Sequence, residues 1–494
     1  MVNNISLQSV ALATETYNAC DTLALFLCKE CAEVLGKLHL PKNIEVLLEA
    51  YKASCEDIFS VGYLSTLTVV EGTQLVKVLI VGCGEGKECK PNNFRIAAGD
   101  ALRELRKLKA HKVTIAAPIL TNPKRGHYLQ ALAEGLYLGA YSFTKYKSDA
   151  KPVADMHLSI ANEIENGQEI IERAAIISQA VSYARDLVNE PGNVIYPEIM
   201  AQKAQELASE LGLGIEILDE AGMQEQKMQA LLAVGQGSVH KPRLITLTYN
   251  GAGDAPYIAY VGKGITFDSG GISIKPDDNM GEMKDDMTGA ACVLGAIKAL
   301  AELKVPVNVM AIMACAENMP GGNAQRPGDI VQAASGKTIE VVSTDAEGRM
   351  VLADAVWYAC HLGASKVIDI ATLTGGVMVA LGTKTSGIIT NDDALGADLV
   401  AAGKRAGESL FVLPSLPELK EAIKSEVADV RNSAGRYGSC ITGGLFIGEF
   451  IKKGTLWAHI DIGGTSTVTE TKGYKYIGGT AFGTMSLIRY AAKF

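Results

Sequence analysis

Three segments of this 494-residue chain set carboxylates, lysines and an arginine among glycines in otherwise apolar sequence. The first is Gly262-Lys-Gly-Ile-Thr-Phe-Asp-Ser-Gly-Gly271, followed by Lys275 and by Met283-Lys-Asp-Asp-Met-Thr-Gly-Ala290. The second is Ser343-Thr-Asp-Ala-Glu-Gly-Arg349, and the third Ala371-Thr-Leu-Thr-Gly-Gly376. Charge on a protein surface normally sits on outer helix faces with partners three or four residues away. Asp268, Asp345 and Glu347 instead stand in glycine-bounded turns after apolar runs. Carboxylates converging on one crevice repel one another unless cations lie between them. Hard divalent metals meet that need. Taken singly, each residue reads as an ordinary turn aspartate or a solvated lysine; the conjunction carries the argument.

Missing motifs narrow the chemistry. No His-Glu-x-x-His occurs and no histidine lies in the three segments, which excludes the usual histidine-ligated zinc protease. The nucleophile elbow Gly-x-Ser-x-Gly is also absent. Two phosphate-loop lookalikes fail in detail: Gly82-Cys-Gly-Glu-Gly-Lys87 continues with Glu88, and Ser335-Gly-Lys-Thr338 has Val331 where the first glycine belongs. Both read as turns.

The elements that must position these residues follow from apolar periodicity. Residues 75–81 and 112–117 read as strands with a helix over 92–108 between them, a smaller α/β domain with a partly parallel sheet. Residues 168–188 lack Gly and Pro and repeat apolar positions in steps of four and three, which predicts a long helix joining two domains. Asn189-Glu-Pro-Gly-Asn193 ends it. Beyond it, residues 257–261, 307–314, 339–342 and 366–370 read as strands, separated by helices that include 288–303 and 351–361. The expected architecture is a smaller N-terminal α/β domain (1–164), a linking helix (165–188) and a larger C-terminal catalytic domain (189–494), its mostly parallel sheet sandwiched by helices. Ligands of such sheets bind beyond the carboxyl ends of the strands, where the glycine-rich segments fall.

The bulk numbers agree with a soluble enzyme. Apolar residues are 48% and charged residues 20% of the chain. A formal charge of 46 − 55 = −9 argues against a protein built to grip nucleic acid. No apolar run reaches the ~18 residues that span a bilayer, and the first thirty residues do not read as a leader, so no membrane association and a cytoplasmic setting are expected. The ten cysteines lack metal-site spacing; Cys28-Lys-Glu-Cys31, with Cys20 and Cys55 nearby, reads as buried thiols.

Asp345-Ala-Glu-Gly-Arg349, preceded by Thr344, closely resembles the signature of the leucyl aminopeptidase (cytosol aminopeptidase) family, the M17 metallopeptidases. So, in family order, do 262–271, Lys275, Asp286-Met-x-Gly-Ala290, Ala316-Glu-Asn-Met-Pro320, Arg326-Pro-Gly-Asp329 and Ala371-Thr-Leu-Thr-Gly375. Ala184-Arg-Asp-Leu-Val-Asn189, Pro191 and Asn193 resemble the family's entry to its catalytic domain, and the likeness runs from about 184 to 494. Ser343 and Met350 stand where the signature usually has Asn and Leu, and Tyr196 where many members have Thr.

The resemblance implies an aminopeptidase that takes the first residue, leucine or another bulky apolar one, from peptides with a free amino end. One metal would be held by Asp268, Asp345 and Glu347, the second by Lys263, Asp268, Asp286 and Glu347. Lys275 and Arg349 would be catalytic, the arginine holding a bicarbonate ion that carries the proton. Met283, Thr372, Leu373 and Gly375 would line the substrate pocket. The ions would be zinc or manganese, with magnesium or cobalt as alternatives. Two metals ~3.5–4 Å apart share a water and lower its pKa towards neutrality. A lysine ligates only as the free amine, so Lys263 would have its pKa strongly lowered by the cations. The resemblance also implies a homohexamer, a dimer of trimers. A phosphoesterase using the same acidic cluster and a non-catalytic scaffold are the rival readings; negligible release of leucine from peptides would favour them.

Overall fold

The computed structural model describes residues 4–17, 20–71, 74–85, 89–121 and 125–493. The turn at 82–87 lies partly outside this set, as does the side chain of Cys31. None of the nine described cysteine thiols is in a disulfide, and all but Cys55 are buried. The chain divides into two compact units, Met1–Ser182 with Thr469–Ile477, and Tyr183–Val468 with Gly478–Phe494. The helix Gly167–Asn189 contains the boundary.

The first unit is built on strands β1 (Ile5–Val10), β2 (Thr22–Leu27), β3 (Leu64–Glu71), β4 (Gln74–Gly82), β5 (Lys112–Ala116) and β6 (Met156–Ala161), in the order β1-β6-β5-β2-β4-β3. All pairs are parallel except the β3/β4 hairpin. Every residue of β2 is buried, as the uninterrupted run Thr-Leu-Ala-Leu-Phe-Leu requires of a strand covered on both faces. Helices Pro91–Lys107 and Arg125–Gly139 pack together so closely that a Cβ on Gly135 would stand 2.3 Å from the Arg95 carbonyl. The buried Arg95–Glu134 ion pair, 2.8 Å, ties the same two helices.

The second unit holds an eight-stranded sheet of β7 (Gly214–Leu218), β8 (Arg243–Asn250), β9 (Ile258–Asp268), β10 (Asn308–Asn318), β13 (Lys366–Ala371), β14 (Thr385–Thr390), β15 (Ser409–Val412) and β17 (Leu456–Asp461). Their order is β15-β14-β17-β13-β9-β10-β8-β7. The centre, β17/β13/β9/β10, is parallel, as is the edge pair β14/β15. Antiparallel pairs β14/β17, β10/β8 and β8/β7 flank the centre. Helices Thr288–Glu302 and Gly348–His361 each pack on β9, β10 and β13, whose residues are almost all buried. The first is backed by Thr484–Ala492, the second by Gln229–Gly235 and Ser439–Gly448.

Two expectations need correction. The strand expected at 257–261 does not stop at Gly262; β9 runs on to Asp268, so Lys263 is a strand residue and not a loop residue. Glycine is demanded there by crowding: a Cβ on Gly262 would stand 2.5 Å from the Gly289 carbonyl, and one on Gly264 2.7 Å from Cys315 Sγ. The strand expected at 339–342 is also outside the main sheet. It is β12 (Thr338–Glu340), between β11 (Ile330–Gln332) and β16 (Val430–Arg431) in a separate three-stranded sheet. The lookalike at 335–338 is the β11/β12 turn, with Gly336 at φ +89° and Lys337 paired to Glu449 at 2.7 Å.

Candidate metal centre

Four elements converge on one acidic cluster. β9 delivers Lys263 and, at its last position, Asp268. The short helix Met280–Asp285 leads into Asp286, the turn after β12 carries Asp345 and Glu347, and β13 ends at Ala371 just before Thr372. Lys263 Nζ lies 2.8 Å from Asp286 Oδ2 and 2.9 Å from Glu347 Oε1, and donates to the Thr372 carbonyl at 2.9 Å. Lys275 Nζ lies 2.7 Å from Asp268 Oδ2 and 2.5 Å from Asp345 Oδ1. Carboxylate oxygens of Asp268, Asp286 and Glu347 all fall within 4.8 Å of one another.

The surroundings hold these groups in place. Asn318 Nδ2 and the Gly270 amide both donate to Asp268 Oδ1, at 2.8 and 2.9 Å. Thr372 Oγ1 donates to Asp286 Oδ1 at 2.7 Å. Thr344 Oγ1 donates to the Gly270 carbonyl and accepts from the Ser273 amide, fastening the Lys275 loop to the Asp345 turn. Ser343 Oγ accepts from the Asp345 amide at 3.3 Å, so the serine at this position still caps the turn. Tyr196 stacks on His240 with ring centroids 4.0 Å apart.

Electrostatics follow from burial set against charge. Burial, and then Glu347, push the Asp268 carboxyl up to about 6 against the pull of both lysines. Asp286 is raised well above the carboxylate range, chiefly by burial, and Asp345 is raised for the same reason. Glu347 ends below its ordinary value: burial pushes it up, but Lys263 and Lys275 outweigh that. Burial alone would lower Lys263, yet Asp286, Glu347 and Asp268 carry it above the usual lysine range; Lys275 behaves likewise. Arg349 is buried and lowered by desolvation; its Nη1 donates to the Asn432 carbonyl at 2.8 Å, while its Nε meets no partner.

Of the residues read as pocket lining, Thr372 and Leu373 are half-buried beside the cluster, Gly375 is the exposed first residue of the helix Gly375–Leu381, and Met283 is half-buried on the short helix before Asp286. Sequence reasoning missed Asn318, Asn432 and Asp461. Asp461 Oδ1 accepts from the amides of Leu373 (3.2 Å), Thr374 (3.4 Å) and Gly463 (3.1 Å), and its Oδ2 from Thr374 Oγ1 at 2.6 Å. Beside it, the fully buried His459 contacts Asp369 at 2.5 Å, and Trp457 donates to the same carboxylate at 2.7 Å. One signal was available: ionisable residues inside the apolar runs 366–371 and 456–461.

Buried carboxylates gathered with lysines around the ends of β9 and β13 are of the class of site that holds divalent metal ions. The chain belongs to the cytosol aminopeptidase family: residues 182–488 match that family's catalytic domain and residues 52–150 its N-terminal domain. A probable cytosol aminopeptidase of Alkaliphilus metalliredigens (strain QYMF) is 45% identical over 425 residues, covering 84% of this chain and 85% of the relative. One from Clostridium perfringens (strain 13 / Type A) is 40% identical over 468 residues, 93% of each chain. The solved structure of the bottromycin maturation enzyme BotP in complex with Mn matches with a TM-score of 0.85 at 33% identity, covering 96% of this chain and 99% of that one. The chain is therefore a metallo-exopeptidase, an aminopeptidase with a divalent metal cofactor. Among the described residues no helix is long and apolar enough to cross a membrane.

Proposed function

We propose that this aminopeptidase releases leucine or another bulky apolar residue from the free amino end of peptides, using two divalent ions, zinc or manganese, held by Lys263, Asp268, Asp286, Asp345 and Glu347. The observation that carries the reading is an imbalance in the cluster. Asp268, Asp286 and Glu347 bring oxygens within 4.8 Å of one another, and buried Glu347 Oε2 meets no hydrogen-bond donor. Such a donor set fits small divalent cations. Ions bound there supply Lewis acidity and an activated water, and bicarbonate held at Arg349 supplies a proton carrier.

The chain's own groups have distinct tasks. Lys263, 3% exposed, is fixed between Asp286 and Glu347, and would give up its proton to hold an ion there as the free amine. Lys275 is the more open lysine at 21%, and its ammonium is placed to stabilise negative charge on a substrate carbonyl oxygen. Arg349 is oriented by the Asn432 carbonyl, which leaves its Nε to meet an anion. Segment 372–375, with Met283, forms the wall against which the first side chain packs.

The test is hydrolysis of leucine amide and of N-acetyl-leucine amide by metal-stripped protein and by protein reconstituted with Mn²⁺ or Zn²⁺. Activity on the free amine alone, lost on stripping and restored by metal, is expected. Metal binding without amide hydrolysis would defeat the proposal. The homohexamer and cytoplasmic setting implied by the family resemblance belong to the same proposal; a monomer in light scattering would remove the former.

A further inference from the structure

Asn432 has no charge and stands 86 positions from Ala346 in the acidic turn, yet it touches that turn at many points. It directly follows β16 and is fully buried. Its side-chain oxygen accepts from the amides of Val342 (2.8 Å) and Ser343 (3.2 Å), and its Nδ2 donates to the Ser343 carbonyl at 2.7 Å. The same Nδ2 approaches Met350 Sδ at 3.4 Å and the Ala346 carbonyl at 3.5 Å. Its own amide donates to the Glu340 carbonyl at 3.0 Å, while its carbonyl accepts from Arg349 Nη1 at 2.8 Å.

Those contacts bracket the turn. Glu340 and Val342 precede Asp345, Ala346 lies between Asp345 and Glu347, and Met350 and Arg349 open the following helix. Satisfying Ser343 as donor and acceptor at once takes one accepting and one donating atom side by side, which an amide offers, whereas a carboxylate only accepts and a hydroxyl has a single atom for both tasks. The main-chain carbonyl of the same residue fixes the guanidinium, so the turn and the arginine share one anchor. Positioning of this sort matters because ligand and reactive groups tolerate errors of only about 0.5 Å.

Resting on the function proposed above, we infer that Asn432 is the positioning residue that holds the Asp345–Glu347 turn and Arg349 in register. Its side chain sets the two carboxylates and its backbone sets the arginine. It acts through these residues and touches neither substrate nor metal.

Asn432→Ala removes the side-chain contacts and leaves the carbonyl. Outer-shell partners of metal ligands contribute about 10–100-fold to affinity or activity. N432A is expected to bind Mn²⁺ at least tenfold more weakly by direct titration and to lose at least tenfold in kcat with KM within twofold of wild type. Exchange of the Val342 and Ser343 amides with deuterium should accelerate while exchange in the first unit stays unchanged. A merely structural role would lower the unfolding midpoint and leave the folded fraction with normal Mn²⁺ affinity and kcat; that result overturns the inference. If N432A does not accumulate as folded protein, N432S, which keeps a hydroxyl too short to bridge the turn, carries the same expectations and the same refutation. Wild-type protein that binds Mn²⁺ but hydrolyses no amide would sink the functional proposal alone, because the affinity and exchange comparisons still decide the role of Asn432.

Discussion

Gly348 opens the helix Gly348–His361 and lies directly against Lys263: a Cβ there would stand 2.5 Å from Lys263 Cε and 2.6 Å from its Nζ. On helix propensity alone, Gly348→Ala should stabilise the protein by up to about 1 kcal/mol. The site opposes this. Lys263 is 3% exposed and cannot withdraw without loosening its contacts with Asp286 (2.8 Å), Glu347 (2.9 Å) and the Thr372 carbonyl (2.9 Å). Overpacking a closed site costs about 1–3 kcal/mol. Losing one partner of a buried ion pair outright costs about 3–5 kcal/mol, but here the ammonium is displaced rather than deleted, so the lower range applies. Set against the helix gain, the metal-free protein should be destabilised by up to about 2 kcal/mol.

The functional loss should be larger, because a displacement of about 1 Å at a reacting centre can cost a hundredfold. Urea denaturation of metal-stripped protein, paired with kcat/KM on leucine amide after Mn²⁺ reconstitution, measures both quantities. A G348A protein with an unchanged or raised midpoint and full activity would mean that Lys263 does not occupy the space against Gly348. The assignment of Lys263 to the metal centre would then fall.

Two further outcomes are expected. Burial pushes Asp268 and Asp285 up to about 6, above unfolded values near 4, so their stabilising contribution is complete below about pH 4 and is lost as pH rises through 6. Glu347, held low, contributes the opposite slope below pH 4.5; between pH 5 and 7.5 metal-stripped protein should lose stability in urea titrations, and D268N should lose less. Asp461→Ala frees the Leu373 and Thr374 amides and the Thr374 hydroxyl, so KM for leucine amide should rise about tenfold, on the scale of a lost outer-shell contact, with a smaller fall in kcat; unchanged KM would show that segment 372–375 holds its shape without the carboxylate.

The site was legible in the sequence because its residues are out of place there. Asp268, Asp345 and Glu347 lack the helical partners that surface carboxylates have, and the structure joins them with Lys263, Lys275 and Asp286 through ion pairs of 2.5–2.9 Å. The frame was less legible, for a reason that lies in the glycines. Gly262 and Gly264 read as punctuation, yet both sit inside β9 because helix Thr288–Glu302 and β10 leave no room for a Cβ. Glycine marks a bend and a close approach with the same letter, and only the packing partner distinguishes them.

Residues 338–340 posed the complementary difficulty. An apolar β-branched run shows that a strand forms but not which sheet receives it, and β12 finds β11 and β16 instead of the main sheet. Asn318, Asn432 and Asp461 were missed for a third reason. None is marked as a site residue by its neighbours in sequence, and each has partners at least 26 positions away in the chain. A metal centre of this kind therefore divides in two. The residues with charge to place announce themselves by chemical type, while those that place the charge are specified only by the fold. The second set is where mutations should alter turnover or affinity while leaving every ligand intact, which is what N432A and D461A are designed to read.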